Sequence, residues 1–329
     1  MALPKIPINM KTLAKAGEIF ESESSADLTV EVLVDTSASS NLVALCHKVL
    51  EVRPGTAELT ILGFDAEMPV LNKDASLIIV VAGASPCLKR VMEIAHWSEL
   101  HCVVLAEDAP ALVAAVPEED ALEIARAIIE VDVDEPQEVL ERNLARWCIS
   151  RLRKQRLALG VAFPFMRQPI ASDLTRQTAI ENAVIASVFF LPGADLPVLT
   201  LNQCKLLYQI AVINEVPLSR ARLADLAAVI GSAFGHRGLA RLLSRKLSPI
   251  KWVVRGATAF GATMALGHLA FQLYSRGGGL VELAKGELDL GCCGGSEDSL
   301  CENGLAEIGF SASESGSFNG VTDVSENTL

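Results

Sequence analysis

The apolar pattern of this chain changes once, at Pro136, and this change limits the folds open to it. Upstream, β-branched apolar runs such as DLTVEVLV and SLIIVVA alternate with segments of helical spacing. Downstream, every apolar segment has helical spacing. Strands that alternate with helices are typical of a parallel sheet with right-handed crossovers, and almost continuously apolar strands fit a sheet covered on both faces. We therefore predict a small Rossmann-like α/β domain followed by an all-α domain.

The same patterns predict the individual elements. Strands are predicted over Asp27–Val34, Glu58–Phe64, Ser76–Ala82 and His101–Leu105. Helices are predicted over Asn41–Leu50, Pro86–His96, Glu119–Glu130, Ala179–Leu191, Leu196–Ile213, Leu218–Phe234, Leu239–Leu247 and Trp252–Tyr274. The helical part is thus predicted to be an apolar hairpin or bundle.

Composition divides the chain into four segments. We predict a flexible leader over residues 1–26, the α/β domain over 27–132, the helical domain over 133–285 and a tail over 286–329. The tail holds nine acidic residues and no lysine or arginine, and it is rich in serine and glycine. Such a composition cannot build a core, so we predict that the tail is disordered.

The α/β domain lacks the motifs of a nucleotide-binding protein. The turn after the first strand reads DTSASS, without the glycines and lysine of a phosphate-binding loop, and no G-x-G-x-x-G occurs. The domain is therefore predicted to be degenerate, with no cofactor and no catalytic residue. The net charge of −12 also argues against general nucleic-acid binding, which needs a basic surface.

An alternative prediction is a divalent-metal site. Asp35, Ser37 and Ser39 follow the first strand with the D-x-S-x-S spacing. This motif resembles the metal-ion-dependent adhesion site of von Willebrand A domains. A carboxylate and two hydroxyls are hard oxygen ligands of the kind that Mg²⁺ prefers. The alternative function is therefore a metal-binding α/β protein that uses these three residues.

The helical half carries signals of membrane contact. The segment Trp252–Tyr274 has 23 residues, about 34 Å of helix, which is enough for a tilted span. It starts and ends on the kind of aromatic residue that lies at a bilayer interface, and a basic run precedes it. The predicted membrane-flanking residues are Arg237, Arg241, Arg245, Lys246, Lys251, Trp252, Arg255 and Tyr274. A soluble helical bundle is the competing interpretation, because hydropathy alone does not separate a buried helix from a marginal span.

Two local patterns describe how these helices would be arranged. A turn of Pro192, Gly193, Asp195 and Pro197 separates two apolar helices, with Asp195 as the cap and Pro197 in the first turn of the second helix. Small residues recur at four-residue spacing in the last helix, at Ala257, Gly261 and Ala265. Such a stripe would allow another helix to approach closely.

The segment ASVFFLPGADLPVLT at residues 186–200, followed by Asn202 and Gln203, carries a resemblance to a known family. With RLALG at 156–160, the FPF at 163–165, and stretches at 233–243 and 256–274, it resembles the domain of unknown function 697, typified by YcjF-like bacterial proteins. The resemblance covers about residues 150–275. It implies membrane association, and fusion to an Era-like GTPase or a gene beside one. The resemblance therefore implies a location and a type of partner, but no activity.

Together these patterns predict a non-enzymatic, membrane-associated recognition or accessory protein. The predicted partners are a membrane surface or bilayer, and a GTPase-type protein or a second copy of the chain. The resemblance implies the bacterial cytoplasmic membrane, and the basic flank predicts that the N-terminal domain lies in the cytoplasm. The alternative is a soluble cytoplasmic protein. The eight cysteines form no C-x-x-C pair, which indicates buried thiols in a reducing compartment.

Overall fold

A computed structural model describes residues 27–114, apart from 66, 68, 86, 98 and 99, and residues 124–188, 196–216 and 251–277. Its strands are β1 (Thr29–Asp35), β2 (Glu58–Phe64), β3 (Leu77–Val81), β4 (Cys102–Ala106) and β5 (Ile128–Glu130). They form one sheet in the order β2-β1-β3-β4-β5, and every pair is parallel. The predicted parallel α/β sheet is confirmed.

Helices cover the central strands of this sheet. The described helices of this part are α1 (Ser40–Val49), α2 (Leu88–Trp97) and α3 (Ala109–Ala114). All five residues of β3 and of β4 are buried, as expected for strands with a layer on each face. On the face of α2, a core forms around Leu33, Ile78, Val80, Leu88 and Val104.

The predicted helix over Glu119–Glu130 is wrong at its end. Ile128–Glu130 is β5, which pairs with β4 and brings Ile128 opposite Val104. The short apolar run before Val131 is compatible with both a helix and a strand, and its pairing with β4 makes it a strand. Residues 115–123 lie outside the described part of the chain, so the rest of that predicted helix is not described.

The described residues after Pro136 contain helices and no strand, as predicted. These helices are α4 (Gln137–Arg151), α5 (Arg156–Ala162), α6 (Arg167–Val188), α7 (Leu196–Ile213) and α8 (Lys251–Ser275), with a short 3₁₀ turn at Pro164–Met166. Helix α6 packs against α7 and α8. It begins twelve residues before the predicted start at Ala179, because its first turns bury Ile170, Ala171 and Leu174 while exposing a polar face.

Several predicted segments lie outside the described residues. They are the leader over 1–26, the helices Leu218–Phe234 and Leu239–Leu247, and the acidic tail over 286–329. Among the described residues, β5 ends at Glu130 and α4 begins at Gln137. The predicted boundary at residues 132 and 133 therefore falls in the connection between the last strand and the first helix of the helical half.

Glycines of α8 allow it to approach α6 closely. A Cβ atom added to Gly267 would lie 2.2 Å from Thr175 Oγ1, and one added to Gly256 would lie 2.4 Å from Ser187 Oγ. Within the described residues, the predicted stripe of Ala257, Gly261 and Ala265 does not form this contact with α6: Ala257 and Gly261 are exposed. The contacting glycines and the predicted stripe both recur at helical spacing. The positions of small residues in the sequence therefore do not identify which face of α8 is packed.

A polar network crosses the interface of the three long helices. The Asn182 Nδ2 group of α6 donates to Thr263 Oγ1 of α8 at 3.0 Å. The Asn202 Nδ2 group of α7 donates to Asn182 Oδ1, also at 3.0 Å. Asn182 is 1 % exposed and Thr263 is fully buried. Because a buried polar group without a partner is costly, this network favours one register of the helices.

Direct contacts join the α/β half to the helical half. The Arg53 amide donates to the Ala162 carbonyl oxygen at 3.0 Å, and Gln155 Nε2 donates to Ser76 Oγ at 3.1 Å. Glu215, just after α7, forms ion pairs with both Arg53 and Arg167. Burial and the nearby Arg53 guanidinium lower the pKa of Arg167. A backbone hydrogen bond, a side-chain hydrogen bond and an ion pair thus connect the two halves.

Candidate functional site

The strand order reverses between β1 and β3, and ligands of open α/β sheets bind at such a point, beyond the carboxyl ends of the strands. Asp35 ends β1 there, and its side chain is 1 % exposed. Its Oδ1 atom accepts from the Ser37 amide at 2.9 Å and from Ser37 Oγ at 2.6 Å. Its Oδ2 atom accepts from the amides of Gly83 and Ser85 at 3.3 and 3.0 Å. The carboxylate therefore joins the loop after β1 to the loop after β3.

These two loops are in van der Waals contact. A Cβ atom added to Gly83 would lie 2.5 Å from both the Ala38 nitrogen and Ser37 Oγ. The Ala84 amide donates to Ser37 Oγ at 2.8 Å. Amides that could bind a phosphate at a strand-reversal point donate here to the protein's own carboxylate and hydroxyl oxygens.

The three residues of the predicted metal motif have protein partners. Asp35 and Ser37 lie together, joined by the bonds described above. Ser39 caps α1 by accepting from the Leu42 amide at 3.1 Å, and it donates to Glu107 Oε1 at 2.7 Å. The described residues contain no group of three or more His, Cys, Asp and Glu side chains that could hold a metal ion. A metal at this motif would have to displace the existing bonds, and its presence stays a prediction.

A wide acidic cleft of about 960 Å³ lies beyond the carboxyl end of β5, beside α4. Glu107, Glu130, Asp132 and Glu135 line it, together with Trp147. The indole N–H of Trp147 donates to the Arg126 carbonyl oxygen at 3.0 Å. Sequence reasoning did not find this cleft, because it assigned residues 128–130 to a helix and so did not place Glu130 at the end of a strand.

The predicted membrane-flanking residues differ in their exposure. Trp252, at the start of α8, is 60 % exposed, whereas Tyr274, near its end, is buried. Arg255 is half-buried, and Lys251 is the first residue of α8. The other predicted members, Arg237, Arg241, Arg245 and Lys246, lie outside the described residues.

Large apolar side chains are exposed where α6 ends and α8 begins. The Ser187 hydroxyl of α6 lies 3.3 Å from the Trp252 carbonyl oxygen, so these two helix ends are neighbours. Around this contact, four large apolar residues have exposed fractions between 42 % and 60 %. We call these residues the apolar end: Val184, Val188, Trp252 and Val253.

Within the described residues, no helix combines the length and the hydropathy needed to cross a membrane. In the predicted structural turn, Pro192, Gly193 and Asp195 lie outside the described residues. Pro197 is the second residue of α7 and so lies in its first turn, as predicted. The cap assigned to Asp195 stays a prediction.

The five cysteines of the described residues are thiols, and four of them are buried. Burial raises the pKa of Cys46, Cys102 and Cys148 to about 12 and that of Cys204 to about 11. A raised pKa keeps these four side chains in the thiol form near neutral pH, whereas the thiolate is the nucleophilic form. Their role in the described part is packing, in agreement with the prediction of buried thiols.

Comparison with protein-family models, with curated proteins and with solved structures gives no match for this chain.

Proposed function

We propose that this protein is a non-enzymatic accessory protein that docks peripherally on an anionic membrane surface through its apolar end. The observation that carries the proposal is the exposure of Val184, Val188, Trp252 and Val253 at one end of the α6–α8 pair. An exposed cluster of large apolar residues marks an interaction surface in a folded protein. Tryptophan in particular favours the boundary between headgroups and acyl chains.

The charge of the adjoining sequence supports a lipid partner. Residues 237–255 contain six basic residues and no acidic one, and the last five residues of this range are the start of α8. Each lysine or arginine near an anionic bilayer contributes about 1 kcal/mol to binding. An apolar anchor beside a basic segment supplies two signals, which together hold a peripheral protein more firmly than either alone.

The geometry of the α/β half favours a recognition role over catalysis. The backbone amides at the strand-reversal point donate to Asp35 and Ser37, and the two loops there are in contact. We assign this half to the binding of a protein partner, and the sequence resemblance points to a GTPase-type protein. The resemblance of residues 150–275 to a family described as membrane-associated agrees with the proposed location.

Cosedimentation of the full chain with lipid vesicles tests the proposal. We expect binding to vesicles that contain phosphatidylglycerol, and weaker binding to pure phosphatidylcholine. Added salt should weaken binding to the anionic vesicles, because it screens the contribution of the basic segment. The Val188→Asp variant should bind several-fold less, since it places a charge in the apolar end.

The matched control is Val70→Asp. Val70 is 88 % exposed and lies between β2 and β3, in the α/β half, so the same substitution adds the same charge away from the apolar end. We expect Val70→Asp to bind like the wild type. Equal binding by the Val188→Asp and Val70→Asp variants, or no binding of the wild type to anionic vesicles, would contradict the proposal.

A further inference from the structure

Strand β2 forms one edge of the sheet, and its outer side is exposed. No other strand of the described residues pairs with it beyond β1. Ile61 is 55 % exposed and Leu62 is 38 % exposed, and both lie in the middle of this seven-residue strand. The opposite edge strand, β5, has only three residues. Proteins commonly protect a sheet edge by keeping its strand short, and β2 is long by comparison.

The hydrogen bonds to β1 show which backbone groups of β2 face outward. The Glu58 amide donates to the Leu28 carbonyl oxygen, and the Phe64 carbonyl oxygen accepts from the Thr36 amide. Since successive residues of a strand direct their N–H and C=O groups to opposite sides, even-numbered residues from 58 to 64 bond to β1. The N–H and C=O groups of Leu59, Ile61 and Gly63 therefore point away from the sheet.

Apart from Glu58 at its first position, β2 carries none of the usual devices against pairing with another strand. From Leu59 to Phe64 it reads LTILGF, with no proline, lysine or other charged residue. An apolar cavity of about 470 Å³ lies beside it, under α1, and is lined by Leu59, Ile61, Val43 and Cys46 among others. The edge therefore offers outward hydrogen-bonding groups next to incompletely covered apolar side chains.

We propose that β2 pairs antiparallel with β2 of a second copy of this chain, centred on Ile61. In this register Ile61 lies opposite its own symmetry mate, and Leu59 lies opposite Gly63. Leu59, Ile61 and Gly63 are symmetric about Ile61, so every outward N–H of one strand meets an outward C=O of the other. Two sheets would thereby join edge to edge through an isologous interface.

The side chains fit this register. The facing Ile61 residues form a β-branched cross-strand pair, which stabilises antiparallel strands. Leu59 faces Gly63, which has no side chain, so the larger residue meets no crowding. Both pairs lie on the sheet face of α1, next to the apolar cavity, where a second copy adds apolar surface.

Sedimentation equilibrium of the full chain over a range of concentrations tests the dimer. We expect a monomer–dimer equilibrium for the wild type, and an Ile61→Lys variant whose dissociation constant is higher by about tenfold or more. An edge lysine would place like charges opposite each other at the centre of the pair. The matched control, Val70→Lys, changes an exposed β-branched residue outside strand β2 to lysine and should dimerise like the wild type.

Amide hydrogen exchange distinguishes loss of the dimer from loss of the fold. In the wild-type dimer the amides of Leu59, Ile61 and Gly63 should exchange slowly, and in the Ile61→Lys variant those of Leu59 and Gly63 should exchange rapidly. The amides of Thr60 and Leu62, which bond to β1, should stay protected in both. A wild type that is monomeric at every concentration, a dimer unaffected by Ile61→Lys, or slow exchange at Leu59 and Gly63 in the monomer would overturn the proposal.

Discussion

Asp35 has a structural role at the strand-reversal point, where other open α/β sheets bind a ligand. Its carboxylate is buried and accepts from four donors, three of them backbone amides. Charge-assisted bonds of this kind are about twice as strong as bonds between neutral groups. The residue therefore stabilises the junction of the loops after β1 and β3.

The Asp35→Asn substitution tests this role. An amide group replaces one acceptor oxygen by a donor that faces N–H groups, so we expect the free energy of unfolding to fall by about 1–3 kcal/mol. Urea denaturation measures the change. Asp74→Asn, at an exposed aspartate between β2 and β3, is the control and should leave stability unchanged within error. Equal stability of the two variants would show that the Asp35 bonds contribute little.

At the scale of elements, the contact between α6 and α8 depends on which small residues face inward. Gly267 lies against Thr175, whereas a Cβ atom on Gly261 would meet no atom within 4 Å. The two glycines belong to the same helix, so they share the same intrinsic cost of glycine in a helix. A difference in stability between alanine substitutions at these two glycines should therefore report the packing against α6, because the contribution of helix propensity is the same.

The Gly267→Ala and Gly261→Ala variants should have opposite effects on stability. The first forces the helices apart and should lower the free energy of unfolding by about 1–3 kcal/mol. The second improves helix propensity in open space and should raise it by about 0.5–1 kcal/mol. Thermal and urea denaturation measure both effects. Destabilisation by Gly261→Ala would indicate that its face is covered by another part of the protein.

The sequence was sufficient to predict most of the strands and the helices α7 and α8. Strand β2 has the predicted bounds, and α8 begins and ends within one residue of the prediction, because strong periodicity identifies such elements. The predictions were wrong where periodicity was ambiguous or hidden. Strand β5 has three residues and depends on pairing with β4, and the first turns of α6 bury only one apolar face.

The arrangement of the candidate site was beyond sequence reasoning for a different reason. The D-x-S-x-S spacing drew attention to Asp35, Ser37 and Ser39, but it does not reveal their partners. The partners of Asp35 at Gly83 and Ser85 are about fifty residues away in the chain. Only the neighbouring positions of β1 and β3 in the sheet bring those amides to the carboxylate.

At the scale of the whole molecule, the distribution of charge favours one orientation at an anionic surface. The chain carries a net charge of −12, yet residues 237–255, which include Trp252 and Val253 of the apolar end, contain six basic residues and no acidic one. An anionic membrane attracts this segment and repels most of the remaining surface. The acidic balance would thus help to direct Trp252 toward lipid.

Fluorescence quenching of Trp252 tests the membrane proposal most directly. Vesicles of phosphatidylglycerol and a phosphatidylcholine brominated near its headgroups should quench part of the tryptophan emission of the full chain. That quenched component should be absent from the Trp252→Phe variant, in which Trp97 and Trp147 remain. Quenching of equal extent in both proteins, or no quenching in the wild type, would contradict docking through the apolar end.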